Sequence, residues 1–265
     1  MKIGFIGAGN MGSALISAAA KCKNYEIYVY DKDTDKANDV CVRYGTKFAN
    51  AEAIARECKY VILGVKPAII GTVMESIADV ISDSTVIVSM AAGVTTEKIE
   101  IAAEKRGKYP AVIRIMPNTP VAVGEGTILY SLGRHATEED ATEFRNIFAN
   151  AGSIFKIDES KIDAGCAVSG CGPAFVYMFI EAICDEAVAC GLDADEAYSY
   201  ACTTLRGAAR TVLETKKPPK ELRDAVCSPA GSTIEGVKVL DNNGFYRTVR
   251  EAVRASFERT KELGK

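Results

Sequence analysis

The stretch GFIGAGNMG, Gly4 to Gly12, stands close to the start of the chain and carries three glycines, Gly7, Gly9 and Gly12, in the spacing G-x-G-x-x-G. An apolar, strand-like run precedes the motif and a helical pattern follows it, so the motif predicts a strand-to-helix turn. Such a turn directs free backbone N–H groups at the start of the helix toward a pyrophosphate. We therefore predict a dinucleotide site, with a glycine-rich turn that binds nothing as the alternative.

An acidic residue, Asp31, follows at the end of the next predicted strand, EIYVYD. It stands near the ~20-residue spacing at which dinucleotide-binding folds place a carboxylate on the ribose. A carboxylate there accepts hydrogen bonds from both ribose hydroxyls of NAD(H) and repels a 2′-phosphate, whereas the adjacent Lys32 attracts one. The segment YDKDTD also reads as a solvated turn, so the choice between the two cofactors stays open.

The pattern of strands and helices divides the chain into two halves. From Lys2 to about Ile157, short β-rich runs alternate with amphipathic helical stretches, which is typical of βαβ units in a mostly parallel sheet with both faces covered. After Asp158 the helical period continues with no alternating strand. We predict a Rossmann-like α/β dinucleotide-binding domain over residues 1–158 and an all-α domain over residues 159–265.

The first long helix of the second half, PAFVYMFIEAI, begins at Pro173 and is apolar nearly all round. A helix of that kind must be buried on several sides, and a domain of about a hundred residues would struggle to cover it. We therefore expect a subunit interface in a homo-oligomer to cover it.

The composition excludes several classes of protein. Of 265 residues, 48% are hydrophobic and 25% charged, the balance of a soluble globular protein. The 32 Lys and Arg against 35 Asp and Glu give a net charge of -3 with no basic block, which argues against a nucleic-acid partner. No apolar run approaches the ~20 residues that span a bilayer, and the first residues lack a signal-peptide pattern. We expect a cytoplasmic protein that acts on a small molecule, with no membrane partner.

The nine cysteines and the single histidine do not suggest a metal site. The cysteines are scattered and never form a C-x-x-C pair. We interpret most of them as small buried hydrophobic residues in a reducing compartment. His135 lies in LGRHATEED and is predicted to be a solvated loop residue that precedes a helix.

Three further loops follow predicted strands, where the ligands of open α/β sheets gather. They are GVKP (Gly64 to Pro67), SMAAGV (Ser89 to Val94) and MPNTP (Met116 to Pro120). Their small residues and prolines leave room for a ring above the strand ends, which favours a nicotinamide site. Ordinary turn chemistry is the alternative, because Pro and Gly mark turns everywhere.

Two stretches interrupt the helical half: SGCGPAF (Ser169 to Phe175) and CSPAGSTIEG (Cys227 to Gly236). In each, Ser, Gly and Pro precede an apolar helix and leave backbone N–H groups free at its start, which makes an anion site. Ordinary helix capping by Ser169 or Ser228 explains the same residues equally well.

The stretches FIGAGNMG, VKP, AAGV, MPNTP, SGCGPAF and CSPAGSTIEGVKVLD, in this order, closely resemble the pyrroline-5-carboxylate reductase family over essentially the whole chain. The resemblance implies reduction of 1-pyrroline-5-carboxylate to L-proline with NADPH or NADH. It also implies a Rossmann domain followed by a helical dimerisation domain, and an active site shared between subunits. Self-association as a homodimer, or as a higher oligomer such as a decamer, follows from it as well.

The same resemblance assigns roles to individual residues by motif. Ser228, Gly231, Ser232 and Thr233 line the substrate, and Thr233 faces the ring nitrogen as the catalytic residue. Asn50, just before a helix, is expected near the adenosine ribose. The full cofactor-binding set is Gly7, Gly9, Asn10, Met11, Gly12, Asp31, Lys32, Asn50, Val65, Lys66, Pro67, Ala91, Ala92, Gly93 and Asn118.

The sequence departs from the family pattern at two positions. Ala230 stands where the family usually has Gly, which would tighten the loop, and Asp31 stands where it often has Ser or Thr followed by a basic residue, which argues against a preference for NADPH. The chemistry of a cyclic imine acid fits the rest of the loop. Its carboxylate needs anion-binding amides, and its C=N bond, electrophilic once protonated, needs one hydroxyl rather than a strong acid. The residues PAGST supply both.

Two other functions remain as alternatives. A β-hydroxyacid-type dehydrogenase is similar at GAGNMG and also pairs a Rossmann domain with helices, but it needs a lysine and an asparagine at helical spacing in the second domain. The helix PAFVYMFIEAICDEA contains neither. The other alternative is a nucleotide-sensing protein without turnover, and an assay of NAD(P)H oxidation separates it from a reductase.

Overall fold

Eight strands form a single sheet in the computed structural model, which describes residues 1–263. The sheet order is β3-β2-β1-β4-β5-β6-β7-β8, and within it only the pair β6–β7 is antiparallel. The strands are β1 (Lys2–Ile6), β2 (Glu26–Tyr30), β3 (Lys47–Phe48), β4 (Tyr60–Leu63), β5 (Val86–Ser89), β6 (Ala111–Pro117), β7 (Gly126–Leu132) and β8 (Gly152–Lys156).

Helices connect most of the strands, and after β8 the described chain contains helices without further strands. Before the first long helix of the second half, a π-helical turn spans Cys166–Gly170. The α-helices are α1 (Asn10–Ala20), α2 (Thr34–Tyr44), α3 (Ala51–Glu57), α4 (Ile70–Ile77), α5 (Thr96–Glu104), α6 (Glu138–Ile147), α7 (Ile162–Gly165), α8 (Gly172–Ala189), α9 (Ala194–Thr215), α10 (Pro219–Ala225), α11 (Ser232–Asn242) and α12 (Phe245–Leu263).

The central strands are apolar because helices cover both faces of the sheet. Every residue of β4 and β5 is buried. Successive side chains of a strand point to opposite faces, and accordingly Ile62 belongs to one apolar cluster whereas Val61 and Leu63 belong to another. Helices α1, α2 and α6 contribute to the first cluster, and α3, α4 and α5 contribute to the second. The predicted α/β fold with a mostly parallel sheet is confirmed.

The strand order reverses between β1 and β4, and this reversal positions the site. From β1, the strands β2 and β3 follow toward one edge of the sheet. From β4, the strands β5 to β8 follow toward the opposite edge. The loops that follow β1 and β4 therefore diverge and leave a crevice at the carboxyl ends of the strands, where open α/β sheets bind ligands. The sequence motif at Gly7 to Gly12 lies at this crevice. The two-residue strand β3 is the one strand within residues 1–263 that the sequence pattern did not predict.

The chain forms two compact units. The sheet unit comprises Met1–Pro173 together with the described part of Ser256–Lys265, and the helical unit comprises Ala174–Ala255. Residues 159–173 thus pack with the sheet, although the helical pattern begins there in the sequence. The domain boundary at 158/159 stays a prediction, and the last two residues of the predicted second domain lie outside the described residues.

Helix α8 exposes most of its apolar residues in the single chain. Among its eighteen residues only Cys184 is buried. The longer helical run Glu159–Ala189, with a mean hydropathy of 1.5, is apolar enough by length and composition to cross a membrane. The expectation that no apolar run approaches that length is therefore corrected for this helix. A helix that a second subunit covers is apolar on most sides for the same reason as a membrane-spanning helix, because neither faces water.

Candidate functional site

The glycine-rich turn connects β1 to α1 at the crevice. Gly7 has a φ of +108°, which glycine adopts without strain, and its N–H donates to the carbonyl of Tyr30 at the end of β2 over 2.7 Å. Helix α1 then begins after Gly9, with no side chain capping it and no acidic residue in its first turn. The first N–H groups of α1 are therefore available to an anion.

The three positions of the motif are occupied by glycine for different physical reasons. A Cβ on Gly7 would lie 2.5 Å from the carbonyl oxygen of Gly64, and a Cβ on Gly12 would lie 2.3 Å from the carbonyl oxygen of Gly7. These two positions therefore need glycine for the packing of the turn itself. A Cβ on Gly9 would meet nothing within 4 Å. Gly9 thus leaves open space above the helix start, as a turn that admits a ligand requires.

Asp31 lies at the end of β2 and supports the same turn. Its Oδ2 accepts from the backbone N–H of Ala8 over 2.7 Å, and its Oδ1 accepts from the N–H of Asp33 over 3.0 Å. The adjacent Lys32 is exposed. Each carboxylate oxygen can accept more than one hydrogen bond, so Asp31 retains acceptor capacity for a ribose. The carboxylate also fixes the position of the glycine-rich turn, a role that the sequence pattern did not reveal.

Asn50 lies at the same level of the sheet as Asp31, one strand away. Val29 of β2 pairs with Phe48 of β3. Asp31 and Asn50 each stand two residues further along, so they lie side by side just beyond the ends of these neighbouring strands. The Oδ1 of Asn50 accepts from the N–H of Ala53 over 2.8 Å and caps α3. Its location near an adenosine ribose stays a prediction, with its side-chain N–H₂ as the group available to a ligand.

A pocket of about 320 Å³ lies where the strand-end loops meet the glycine-rich turn. Its lining comprises Gly9, Asn10, Met11, Gly12, Gly64, Val65, Lys66, Met90, Met116 and Pro117. The structure thus brings the predicted residues of the glycine-rich turn together with Val65 and Lys66. Met90 and Met116 were not named as site residues, although both lie in stretches that the sequence analysis singled out.

The remaining predicted cofactor residues lie close to this pocket. Lys66 also borders a second cavity of about 590 Å³ between the starts of α4 and α5, together with Pro67 and Gly93. Ala91 is fully buried behind the loop after β5, and Ala92 packs against the apolar cluster that contains Met116. These two alanines shape the loop that carries Gly93.

The side chain of Asn118 points into the protein. Its Nδ2 donates to the carbonyl of Ser169 over 2.9 Å, its Oδ1 accepts from the N–H of Thr127 over 2.8 Å, and the residue is only 7% exposed. Both ends of the amide are thus used within the protein. That Asn118 flanks the cofactor stays a prediction.

An ion-pair cluster around the buried Arg114 of β6 is not among the features predicted from the sequence. Its Nη1 lies 3.4 Å from Oε1 of Glu159, and its Nη2 lies 3.0 Å from Oδ1 of Asp163. Glu159 also accepts from the backbone N–H and the hydroxyl of Thr96, each over 2.8 Å, and so fixes the start of α5 directly after the loop that follows β5. The single charged residue within the apolar run AVIRIMP is the signal that could have indicated this cluster.

The predicted substrate loop lies in the helical unit and contains a tight turn. The N–H of Gly231 donates to the carbonyl of Ser228 over 3.1 Å, and Ala230, the third residue of the turn, has a φ of +59°. With Pro229 second and a positive φ third, this is a type II turn. A Cβ on Gly231 would lie 2.4 Å from the Oγ of Ser228, so a larger residue there would force the Ser228 hydroxyl to move.

Helix α11 begins directly after this turn. Its N-cap is Gly231, and no side chain caps it. Ser228, Ser232 and Thr233 are exposed, and their hydroxyls have no hydrogen-bond partner within the described part of the chain. The loop therefore presents uncapped N–H groups and unpaired hydroxyls together, which suits a ligand that carries a carboxylate and a ring nitrogen.

The lining of the pocket at the glycine-rich turn includes neither a cysteine nor His135. Burial raises the pKa of the Cys58 thiol to about 12 and also raises that of Cys166, so neither is a thiolate near neutral pH. All nine cysteines are free. His135 lies in the loop before α6, where its ring meets that of Tyr109 edge-on at 5.8 Å. Within residues 1–263, no group of three or more His, Cys, Asp or Glu side chains is arranged to hold a metal ion.

Comparisons with known proteins match both parts of the chain. Residues 2–93 match a family model described as NADP oxidoreductase, coenzyme F420-dependent, and residues 159–263 match one described as pyrroline-5-carboxylate reductase dimerisation. The pyrroline-5-carboxylate reductase of Escherichia coli (strain K12) is 38% identical over 268 residues, which cover 100% of this chain and 98% of the relative.

Relatives in other kingdoms show the same full-length similarity. The pyrroline-5-carboxylate reductase of Arabidopsis thaliana is 38% identical, with 99% of this chain and 95% of the relative covered. The crystal structure of Plasmodium falciparum pyrroline carboxylate reductase with NADP bound superposes with a TM-score of 0.89 at 33% identity, covering 100% of this chain and 98% of that one.

Proposed function

The chain belongs to the pyrroline-5-carboxylate reductase family, and we propose from that premise that it reduces 1-pyrroline-5-carboxylate to L-proline with a hydride from NADPH or NADH. It is an NAD(P)H-dependent oxidoreductase of proline biosynthesis. The observation that carries the proposal is the 38% identity across the whole chain, which includes both the glycine-rich turn and the substrate loop.

The residues of the crevice fit a dinucleotide. The uncapped start of α1 and the open space at Gly9 suit a pyrophosphate, and Asp31 and Asn50 offer hydrogen-bonding groups to a ribose. Val65, Lys66 and the residues of the loop after β5 would hold the nicotinamide end and exclude water from it. When bound, the reduced nicotinamide supplies the hydride.

The substrate loop supplies binding and orientation. The free N–H groups at the start of α11 would hold the carboxylate of the imine acid, with help from the hydroxyls of Ser228 and Ser232. The hydroxyl of Thr233 would hydrogen-bond the ring nitrogen as that nitrogen loses its iminium charge. One proton and two electrons would arrive at the adjacent carbon as hydride, and the C=N π pair would move onto nitrogen as its lone pair. The nitrogen's proton arrives with the protonated imine or from solvent, because a threonine hydroxyl is a poor acid.

Asp31 bears on the choice between the two cofactors. Its negative charge repels a 2′-phosphate, while its spare acceptor capacity suits the 2′- and 3′-hydroxyls of NADH. The exposed Lys32 acts in the opposite direction. We expect the carboxylate to outweigh the lysine, because hydrogen bonds to Ala8 and Asp33 hold it in place.

The assembly follows from the helical unit. The protein self-associates through its dimerisation region, and the exposed apolar side chains of α8 supply the surface that a second copy would cover. We expect a homodimer as the basic unit and a higher oligomer such as a decamer as its extension. An interface of this kind buries more than ~2,000 Å². We place the enzyme in the cytoplasm, where its free cysteines stay reduced.

The deciding experiment incubates the purified protein with pyrroline-5-carboxylate and either NADPH or NADH. Oxidation of the nucleotide should match formation of L-proline one to one, and omission of the imine should abolish both. Nucleotide binding without oxidation would instead support a nucleotide-sensing protein. Oxidation of a β-hydroxyacid with NADP⁺ or NAD⁺, without reduction of the imine, would support a β-hydroxyacid-type dehydrogenase.

A further inference from the structure

Asn118 connects two sequence motifs that lie far apart in the chain. It belongs to MPNTP, directly after β6, whereas the carbonyl that receives its Nδ2–H belongs to Ser169 of SGCGPAF, 51 positions away. Its Oδ1 accepts from Thr127, nine positions away. A buried amide with both ends bonded holds its backbone more firmly than a single contact would.

The carbonyl of Ser169 needs this donor because of a proline. In an α-helix, the carbonyl of residue 169 would accept from the N–H of residue 173. Pro173 has no N–H, and the backbone leaves the α-helical pattern here, with the N–H of Cys171 bonded to the carbonyl of Cys166. The Nδ2 of Asn118 supplies the hydrogen bond that Pro173 cannot.

The other end of Asn118 extends the sheet. The antiparallel pairing of β6 with β7 ends at Pro117 and Ile128. The next N–H of β7, that of Thr127, bonds to the side chain of Asn118. The residue after Pro117 is therefore fixed both to β7 and to the π-helical turn.

The two residues before Asn118 are walls of the pocket. Met116 and Pro117 line it together with residues of the glycine-rich turn. We propose that Asn118 is a positioning residue for the cofactor, because its side chain holds Met116 and Pro117 at the distance that the nicotinamide end of NAD(P)H requires. This inference rests on the cofactor site of the proposed function and assigns Asn118 no direct contact with the cofactor.

The test measures binding of NADPH by fluorescence titration of the purified enzyme. Asn118→Ala should raise the Kd for NADPH about tenfold, the effect of losing roughly one to two hydrogen bonds. The kcat at saturating NADPH should stay within about threefold, because the reacting groups are unchanged. Thr119→Ala, at the exposed neighbouring position, is the matched control and should leave the Kd unchanged. An unchanged Kd in Asn118→Ala, with a lowered melting temperature, would overturn the proposal.

A second variant keeps the test decisive if Asn118→Ala does not fold. Asn118→Asp retains the shape and the acceptor for Thr127 but removes the donor to Ser169, and it should also weaken binding of NADPH. In a Pro173→Ala background, residue 173 regains an N–H for the carbonyl of Ser169, so the weakening should shrink to about threefold or less. An undiminished effect would contradict the bridge to Ser169. Because the readout is binding, a wild-type protein that binds NADPH without reducing the imine contradicts only the proposed reaction.

Discussion

Strand β6 of the sheet unit and helix α8 of the helical unit are both strongly apolar, but their surroundings differ. All seven residues of β6 are buried, including Arg114 with its two carboxylate partners. Of the eighteen residues of α8, only Cys184 is buried, and Met178 is 68% exposed. The sheet unit therefore covers its own apolar surface within one chain, whereas the helical unit needs a second chain to do so.

Polar groups show the same contrast. In the sheet unit, the carboxylate of Asp31 and the amide of Asn118 form hydrogen bonds with backbone groups of the same unit. In the helical unit, the hydroxyls of Ser232 and Thr233 are exposed and lack partners among the described residues. The unit that carries the proposed cofactor site thus fixes these polar side chains itself, whereas the hydroxyls of the proposed substrate loop stay unpaired within the described residues.

The largest effect that we expect tests the unpaired hydroxyl of the substrate loop. Thr233→Ala should lower kcat by about ten- to a thousandfold, which corresponds to roughly 1.4 to 4 kcal/mol of lost transition-state interaction. Binding of NADH should survive, since the change lies outside the sheet unit. Steady-state kinetics and a melting curve on the same variant measure both effects, and Thr233→Ser should retain most of the activity. A normal kcat with a melting temperature lowered by the loss of about 1 kcal/mol would show that Thr233 only stabilises its helix.

The second prediction tests whether a second subunit covers the apolar surface of α8. Met178→Arg places an unpaired charge on the apolar surface that a second subunit is expected to cover, and it should weaken the dimer about a hundredfold or more, or roughly 3 kcal/mol. Light scattering at micromolar concentration should then detect monomers, and activity should fall with the dimer. Lys220→Glu, an exposed charge reversal on α10, is the control and should stay dimeric and active. A stable and active monomer in the wild type would contradict the interface itself.

The sequence predicted the fold well because its strongest signals are local. The glycine spacing, the alternation of strands and helices and the change of pattern after Asp158 each depend on neighbouring residues. The sheet topology confirms the mostly parallel sheet that the alternation predicted, and the domain boundary after Asp158 stays a prediction. Strand β3 was not predicted because it is only two residues long. Both of its side chains, Lys47 and Phe48, are exposed, so no apolar run marks the strand in the sequence.

The sequence predicted which loops lie near one another at the candidate site, but it did not predict the hydrogen-bond partners of the side chains there. The loops after β1, β4 and β5 meet the end of β6 at one pocket because parallel strands end at the same edge of the sheet. The inward orientation of Asn118 depends on a carbonyl that Pro173 leaves without a donor, and no local pattern around Asn118 reveals that need. The bond from Ala8 to Asp31 likewise links positions 23 residues apart.

A smaller effect concerns the sheet unit and its cofactor. Asp31→Ser should shift the ratio of kcat/KM values toward NADPH by roughly tenfold, the effect of removing ~1.4 kcal/mol of discrimination. The wild type should use NADH at least as well as NADPH. Asp31→Asn separates charge from structure, because it keeps one acceptor for the N–H of Ala8 while it removes the repulsion of a 2′-phosphate. A strong preference for NADPH in the wild type would mean that Lys32 and its neighbours outweigh Asp31.

The smallest effect concerns backbone strain within the helical unit. Ala230 is the third residue of a type II turn with a φ of +59°, a conformation that costs a non-glycine residue about 1–2 kcal/mol. Ala230→Gly removes this strain but adds about 0.5–1 kcal/mol of entropy loss on folding, so the net stabilisation should be about 0.5 kcal/mol. Calorimetry should therefore detect a Tm higher by about 1–2 °C. The opposite sign is expected for Ala225→Gly at the end of α10, where the backbone is helical and glycine only costs stability. Because Ala230→Gly leaves the hydroxyls and free N–H groups of the loop in place, kcat/KM for the imine should change by less than about twofold. If both glycine variants lower the Tm equally, the positive φ of Ala230 carries no strain, and alanine stabilises this position relative to glycine.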